Sequence, residues 1–274
     1  MPTAYHGDVE LFFEMFGSVT NPTLLLINGL GSQCINYDER WCEKFAAQGY
    51  RVIRFDNRDT GLSSKLDERA YALRDMAGDA MAVLVAANAE AAHVMGVSMG
   101  GMIAQRLAID HGDRLLSLTS VMSRTGEPEY GQSSPEALAV LMAKPARTRD
   151  EYVDHQIAAS RAYGSKPEWI DEPYLRARAA RAFDRCYCPA GLGRQMQAVM
   201  RDGDRADGLR TLTVSTLVMH GDRDTLIDPS GGRRTAELIP GARYVEIEGM
   251  GHDYPAAVWD HWVETWADFV RPVT

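Results

Sequence analysis

The sequence predicts an α/β protein: a mostly parallel central sheet flanked by helices, with a block of helices inserted in its second half. Three observations carry this. Short apolar runs alternate with helix-patterned segments between residues 23 and 121, and such alternation implies parallel strands joined by crossover helices. Residues 123–206 then contain no strand-like run, only helix-friendly Ala, Arg and Glu punctuated by Pro128, Pro135, Pro145, Pro167, Pro173 and Pro189. Strand character returns at Thr216–His220 and Arg243–Ile247. Residues 1–122 and 207–274 are therefore expected to form one core, interrupted by a helical insertion over 123–206.

Each element has its own signal. Val9–Phe16 mixes apolar and polar positions and is followed by Gly17 and Asn21-Pro22, which suits an edge strand or hairpin. Thr23–Ile27 is an apolar run of the kind a strand buried on both faces shows, and it ends in Asn28-Gly29-Leu30-Gly31. A helix is expected from about Asp38 to Gln48, stopping at Gly49. Arg51–Phe55 reads as a strand that runs into Asp56-Asn57-Arg58-Asp59-Thr60-Gly61-Leu62-Ser63. Leu73–Ala87 reads as a helix, with Met76, Ala80, Val83 and Leu84 as its apolar stripe. Ala92–Val97 is a buried strand, Ser98 the tip of a sharp turn, and a helix follows to about His111-Gly112. Leu115–Val121 is the next strand. Near the end, Trp259, Trp262, Val263, Trp266 and Val270 fall at helical spacing, a core face rather than a cofactor site.

Composition narrows the function classes. A chain of 274 residues with 45% hydrophobic and 24% charged residues has enough apolar side chains for one large core. A net charge of −9 argues against nucleic acid or an anionic membrane as partner, since both need a basic footprint. The first eight residues show neither a basic nor an apolar signal-peptide region, and no apolar run approaches bilayer length. A soluble cytoplasmic protein, without stable membrane insertion, is expected. Cys34, Cys42, Cys186 and Cys188 have neither disulfide nor zinc-site spacing, so free thiols are expected.

The chemistry centres on Gly96-Val97-Ser98-Met99-Gly100. Gly-x-Ser-x-Gly between a strand and a helix is a nucleophile elbow: so tight a turn needs small residues where strand and helix crowd together. A serine hydroxyl needs a base, and the base needs a third group to fix its tautomer. His252 lies in the glycine-rich Glu248-Gly249-Met250-Gly251-His252-Asp253, directly after a strand, and is preferred to His261, which sits among the tryptophans. For the acid, Asp222, Asp224 and Asp228 compete in the loop after His220. At least one is expected to organise the turn or cap the next helix; spacing alone leans toward Asp224.

Gly96-Val97-Ser98-Met99-Gly100-Gly101, Gly221-Asp222-Arg223-Asp224 and Gly251-His252 together resemble the α/β-hydrolase family of esterases, over essentially the whole chain. The resemblance implies the α/β-hydrolase fold, with the insertion as the family's cap. It also implies Ser98, Asp224 and His252 as the triad, in the family's order. The oxyanion donors would be the backbone N–H groups of Met99 and of Leu30, in a loop where Asn28 replaces the usual histidine. Asp56 to Ser63 is similar to the family's Asp-x-Arg-Gly-x-Gly-x-Ser loop, with Asp59 in place of the first glycine; Asp56 and Arg58 are expected to hold it by paired hydrogen bonds. Arg-Asp-Thr-Gly and Gly-Met-Gly-His also resemble the aclacinomycin methylesterase branch, which implies simple esters of bulky organic acids.

The expected activity is hydrolysis of a small, largely apolar carboxylic ester by acyl transfer to serine, with no metal or organic cofactor. The rivals are other donors on the same triad (thioester, lactone, carbon–carbon bond, perhydrolysis), a non-hydrolytic small-molecule receptor, and a purely structural scaffold. Within the insertion, Tyr130, Tyr152, Tyr163, Trp169, Tyr174, Phe183 and Tyr187 could line a pocket, though each taken singly reads as cap packing. Arg176, Arg178, Arg181 and Arg185 read as a solvated helix face rather than ligands of a substrate carboxylate.

Overall fold

Strands β1 (Thr3–His6), β2 (Val9–Phe16), β3 (Thr23–Ile27), β4 (Arg51–Phe55), β5 (Ala92–Val97), β6 (Leu115–Val121), β7 (Thr216–Gly221) and β8 (Arg243–Ile247) form one sheet in the computed structural model, which describes residues 2–271. Their order across the sheet is β1-β2-β4-β3-β5-β6-β7-β8. The first two strands make an antiparallel hairpin, and β2 pairs antiparallel with β4. Every later pairing is parallel. The segment read as an edge or hairpin strand is thus second from the edge, covered by β1, whose four residues are too few to show a pattern.

Side chains of one strand alternate between the two faces, and β3 shows what that requires. Leu25 and Ile27 join one core with Met76, Ala80, Val83 and Leu84 of helix α2 (Leu73–Ala86). Leu24 and Leu26 join another with Trp41 and Phe45 of α1 (Glu39–Ala47), and with Trp262 and Trp266 of the C-terminal helix. All five β3 residues are buried, as a strand covered on both faces must be. Helix α3 (Met99–His111) adds Ile103 and Leu107 to the first core.

The inserted helices are α4 (Pro135–Leu141), α5 (Arg149–Tyr163), α6 (Glu172–Arg185), α7 (Pro189–Asp202) and α8 (Ala206–Arg210). Three of the six prolines in this stretch start α-helices rather than break them. Pro135, Pro173 and Pro189 fall in first turns, where a missing N–H costs nothing. Ser134, Thr148 and Asp171 cap α4, α5 and α6 by accepting from N–H groups three residues on. Helix α5 packs on α6 through Val153, Ala179 and Ala180.

Helix α9 (Ser230–Leu238) was expected only as the helix after the aspartate loop, without bounds, because two glycines and two arginines hide its period. α10 (Trp259–Val270) presents the tryptophan stripe, with Trp262 and Trp266 wholly buried against the ring edges of Trp41 and Phe45. Among the described residues no helix is long and apolar enough to cross a membrane, and all four cysteines are free thiols.

Candidate active site

Ser98 is the single residue between β5 and α3, with φ 58° and ψ −122°. That left-handed backbone is costly for a residue with a Cβ, and hydrogen bonds hold it. The Ser98 N–H donates to the Val121 carbonyl (2.9 Å), and Ser123 Oγ donates to the Ser98 carbonyl (2.9 Å). Glycine is required beside it. A Cβ on Gly96 would stand 2.0 Å from the Gly100 carbonyl oxygen, and one on Gly100 would stand 2.0 Å from that of Ile27. These obstacles are backbone and cannot rotate away. Gly100→Ala is therefore expected to cost about 3 kcal/mol of stability and most of the activity, read by thermal unfolding and an ester assay.

His252 and Asp224 come to Ser98 from two loops that follow β8 and β7. His252 Nε2 lies 3.0 Å from Ser98 Oγ, and His252 Nδ1 lies 2.7 Å from Asp224 Oδ2. The second Asp224 oxygen accepts from the N–H groups of Leu226 and Ile227, each at 2.9 Å. Burial alone would raise the Asp224 pKa. The charge on His252 and hydrogen bonds from His220 and His252 outweigh it and bring the pKa to about 2. The competing aspartates do other work: Asp222 accepts from Gly249 N–H (2.7 Å), and Asp228 accepts from Ser230 N–H (2.9 Å) at the start of α9. His261 is exposed on α10.

His220 was not singled out by the sequence, where it reads as one more residue of a buried strand. It is wholly buried, with Nε2 2.8 Å from the Ile227 carbonyl and 3.2 Å from Asp224 Oδ2. Donation to the carbonyl fixes the proton on Nε2 and leaves Nδ1, which has no hydrogen-bond partner among the described residues, against Gly232. This explains one of the glycines that hid α9: a Cβ there would stand 2.4 Å from that nitrogen.

Met99 opens α3, so its N–H has no helical acceptor behind it. The loop 28–31 lies against the elbow, a Gly29 Cβ position being 3.2 Å from Ser98 Cβ. The Asn28 carbonyl accepts from Asn57 Nδ2 (3.1 Å), and Gly31 N–H donates to Gln195 Oε1 (2.8 Å). Gln195, on α7, also donates to the Arg58 carbonyl (2.8 Å) and so ties two loops to one helix. Leu30, Met99, Ser98 and His252 all line one cavity of about 490 Å³ between the sheet and the inserted helices.

This frame matches the family model for the alpha/beta hydrolase fold over residues 22–254. The chain belongs to the α/β-hydrolase family. It is a hydrolase of the carboxylesterase type. It is 32% identical to rhodomycin D methylesterase DauP of Streptomyces sp. (strain C5), with 94% of each chain covered. Against rhodomycin D methylesterase DnrP of Streptomyces peucetius it is 31% identical, again with 94% of each covered. Both support the resemblance to the aclacinomycin methylesterase branch. Among solved structures, the enol-lactonase from Burkholderia xenovorans LB400 superposes with a TM-score of 0.79 at 24% identity, covering 98% of this chain and 99% of that one. That likeness shows the fold.

The hydrolase departs from two expectations drawn from its sequence. Asp56 and Arg58 do not pair. Asp56 accepts from the N–H groups of Cys34 (2.7 Å) and Leu62 (2.8 Å) and pairs with Arg185 (2.7 Å), while Arg58 grips Asp79 through two 2.6 Å bonds. Arg185 is accordingly no part of a solvated face, although Arg176 and Arg181 are exposed and paired with surface acids. Of the candidate aromatic residues, Tyr152, Tyr163 and Tyr187 line the cavity, while Phe183 stacks behind Tyr187 and Trp169 packs beneath Lys166.

Asp59, standing where the family has glycine, keeps the left-handed backbone (φ 71°). Its buried carboxylate meets Arg194 of α7 at 2.7 and 2.9 Å, Tyr71 Oη at 2.7 Å and Leu66 N–H at 2.7 Å. Burial opposes ionisation here, but Arg194 and the hydrogen bonds hold the pKa below the usual value. Such charge-assisted bonds offset a backbone strain of about 1–3 kcal/mol. Asp59→Gly is expected to free Arg194, Tyr71 Oη and Leu66 N–H together, so that hydrogen exchange quickens in α7 and around Leu66 while the sheet is unaffected.

Proposed function

We propose that the enzyme hydrolyses carboxylic esters through an acyl-enzyme on Ser98. The observation that carries this is the unbroken line from Ser98 Oγ to His252 Nε2 (3.0 Å) and from His252 Nδ1 to Asp224 (2.7 Å), beside a cavity large enough for a small molecule. His252 takes the serine proton as Oγ attacks the ester carbonyl, and ionised Asp224 holds Nδ1–H and stabilises the imidazolium. The N–H groups of Met99 and Leu30 receive the oxyanion, each such donor being worth about 3 kcal/mol at the transition state. The proton passes to the departing alcohol, and water activated by His252 then frees the acid. His220 acts as a positioning residue: it keeps Asp224 turned toward His252.

The insertion, 123–206, acts as the cap of a core made of 1–122 and 207–274, and it keeps the acyl-enzyme away from bulk water. Two relatives are named as methylesterases of rhodomycin D, which favours simple esters of bulky acids. Hydrolysis of p-nitrophenyl acetate, butyrate and octanoate tests the reading. Steady turnover supports it, and the chain-length profile sizes the cavity. One equivalent of p-nitrophenol without turnover on any ester would overturn it in favour of a ligand receptor.

A further inference from the structure

The arginines around the cavity fall into two groups. On α6, Arg176, Arg181 and Arg185 each meet a carboxylate. Arg178 of the same helix is partly buried and lines the cavity, and its side chain makes no ion pair or hydrogen bond among the described residues; its guanidinium stands over the Tyr174 ring, 5.7 Å from the centroid. Asp253, next to His252 in the lining of the same cavity, is within reach of its field; Ser165 N–H (3.0 Å) and Ser165 Oγ both donate to its Oδ1, and it makes no ion pair with Arg178. Arg124 is the second case. It is partly buried, lines the cavity, and has one long hydrogen bond, 3.4 Å to the Gly131 carbonyl, and no carboxylate partner among the described residues. Burial pushes its pKa down, the mark of a cation without compensation.

Both line the cavity that Ser98 and His252 line. Arg124 follows Ser123, which is bonded to the Ser98 carbonyl, and Arg178 shares the cavity with Asp253 and Tyr254, the residues after His252. A guanidinium withdrawn from water is unfavourable until an anion meets it, and its planar fork suits a carboxylate or phosphate. In a chain of net charge −9, the cavity's charged lining is Arg124, Arg178 and exposed Lys144 against Asp253 and against Asp59, which Arg194 already pairs.

We propose that Arg178 and Arg124 select substrates that carry an anionic group away from the scissile bond, such as monoesters of dicarboxylic acids. The proposal rests on Ser98 chemistry only for its kinetic readout. Wild type is expected to prefer mono-p-nitrophenyl glutarate to neutral p-nitrophenyl hexanoate, a preference that weakens with salt. In Arg178→Met and Arg124→Met the ratio of kcat/KM for the two esters falls about tenfold, through KM. The ratio is independent of how much variant folds, and Arg178→Lys restores part of it. Competition by glutarate against inorganic phosphate tells which anion the pair favours. An unchanged ratio in both Met variants, or a wild type that prefers the neutral ester, would overturn the proposal. If wild type turns over no ester, the Ser98 reading fails instead. Calorimetric titration of glutarate into Ser98→Ala protein then reads the anion site alone: saturable binding lost in Ser98→Ala/Arg178→Met supports it, and no binding overturns it.

Discussion

Ser98→Ala is expected to lower kcat for p-nitrophenyl butyrate by about 10⁵–10⁶-fold and to leave the fold intact. The size follows from the site. No other hydroxyl or thiol stands within hydrogen-bond distance of His252 Nε2 among the described residues, so no group can replace the proposed nucleophile. What remains is the activity of the oxyanion donors on water, about 10³-fold over solution. Structure is spared because Oγ has no other hydrogen bond among the described residues, while the N–H and carbonyl of residue 98 keep Val121 and Ser123. Steady-state rates alongside circular dichroism check both halves of the statement.

Asp224→Asn is expected to lower kcat by about 10⁴-fold with KM nearly unchanged. The oxygen that accepts from Leu226 and Ile227 N–H is kept if the amide nitrogen takes the other position. That nitrogen then points at His252 Nδ1 and His220 Nε2. It can only donate, so His252 must accept at Nδ1 and carry its proton on Nε2, where it cannot take one from Ser98. The same substitution changes acid stability. The folded Asp224 pKa of about 2 is below the ordinary 3.8, so this carboxylate stabilises the fold fully above about pH 4. That contribution, on the order of 2 kcal/mol, is lost as pH falls from about 4 toward 2. Unfolding midpoints measured from pH 6 to pH 2 should fall less steeply in Asp224→Asn than in wild type.

What could be read in the sequence was local. The central strands such as β3 and β5 are apolar runs with punctuation at their ends, β2 and β8 were legible despite polar residues, and Ser98, Asp224 and His252 each follow a strand within a few residues. What escaped depends on partners far apart in the chain. Gln195 holds Gly31 and Arg58, which lie more than a hundred residues before it, and neither spacing nor composition marks that amide. Arg185 belongs to an arginine-rich helix that looks solvated until Asp56 comes to it from the sheet. Asp59 was visible as a departure from a glycine, but its reason, Arg194 of α7, was not. Helix α9 was obscured for a packing reason, the close approach of Gly232 to His220.

The central claim, that Ser98 is the nucleophile of an ester hydrolase, is tested most directly by covalent capture. Wild type treated with a fluorophosphonate should gain the mass of one phosphonyl group, mapped to the peptide containing Ser98, with turnover lost in step. Ser98→Ala should gain none. Labelling that maps elsewhere, or that persists in folded Ser98→Ala, would contradict the account.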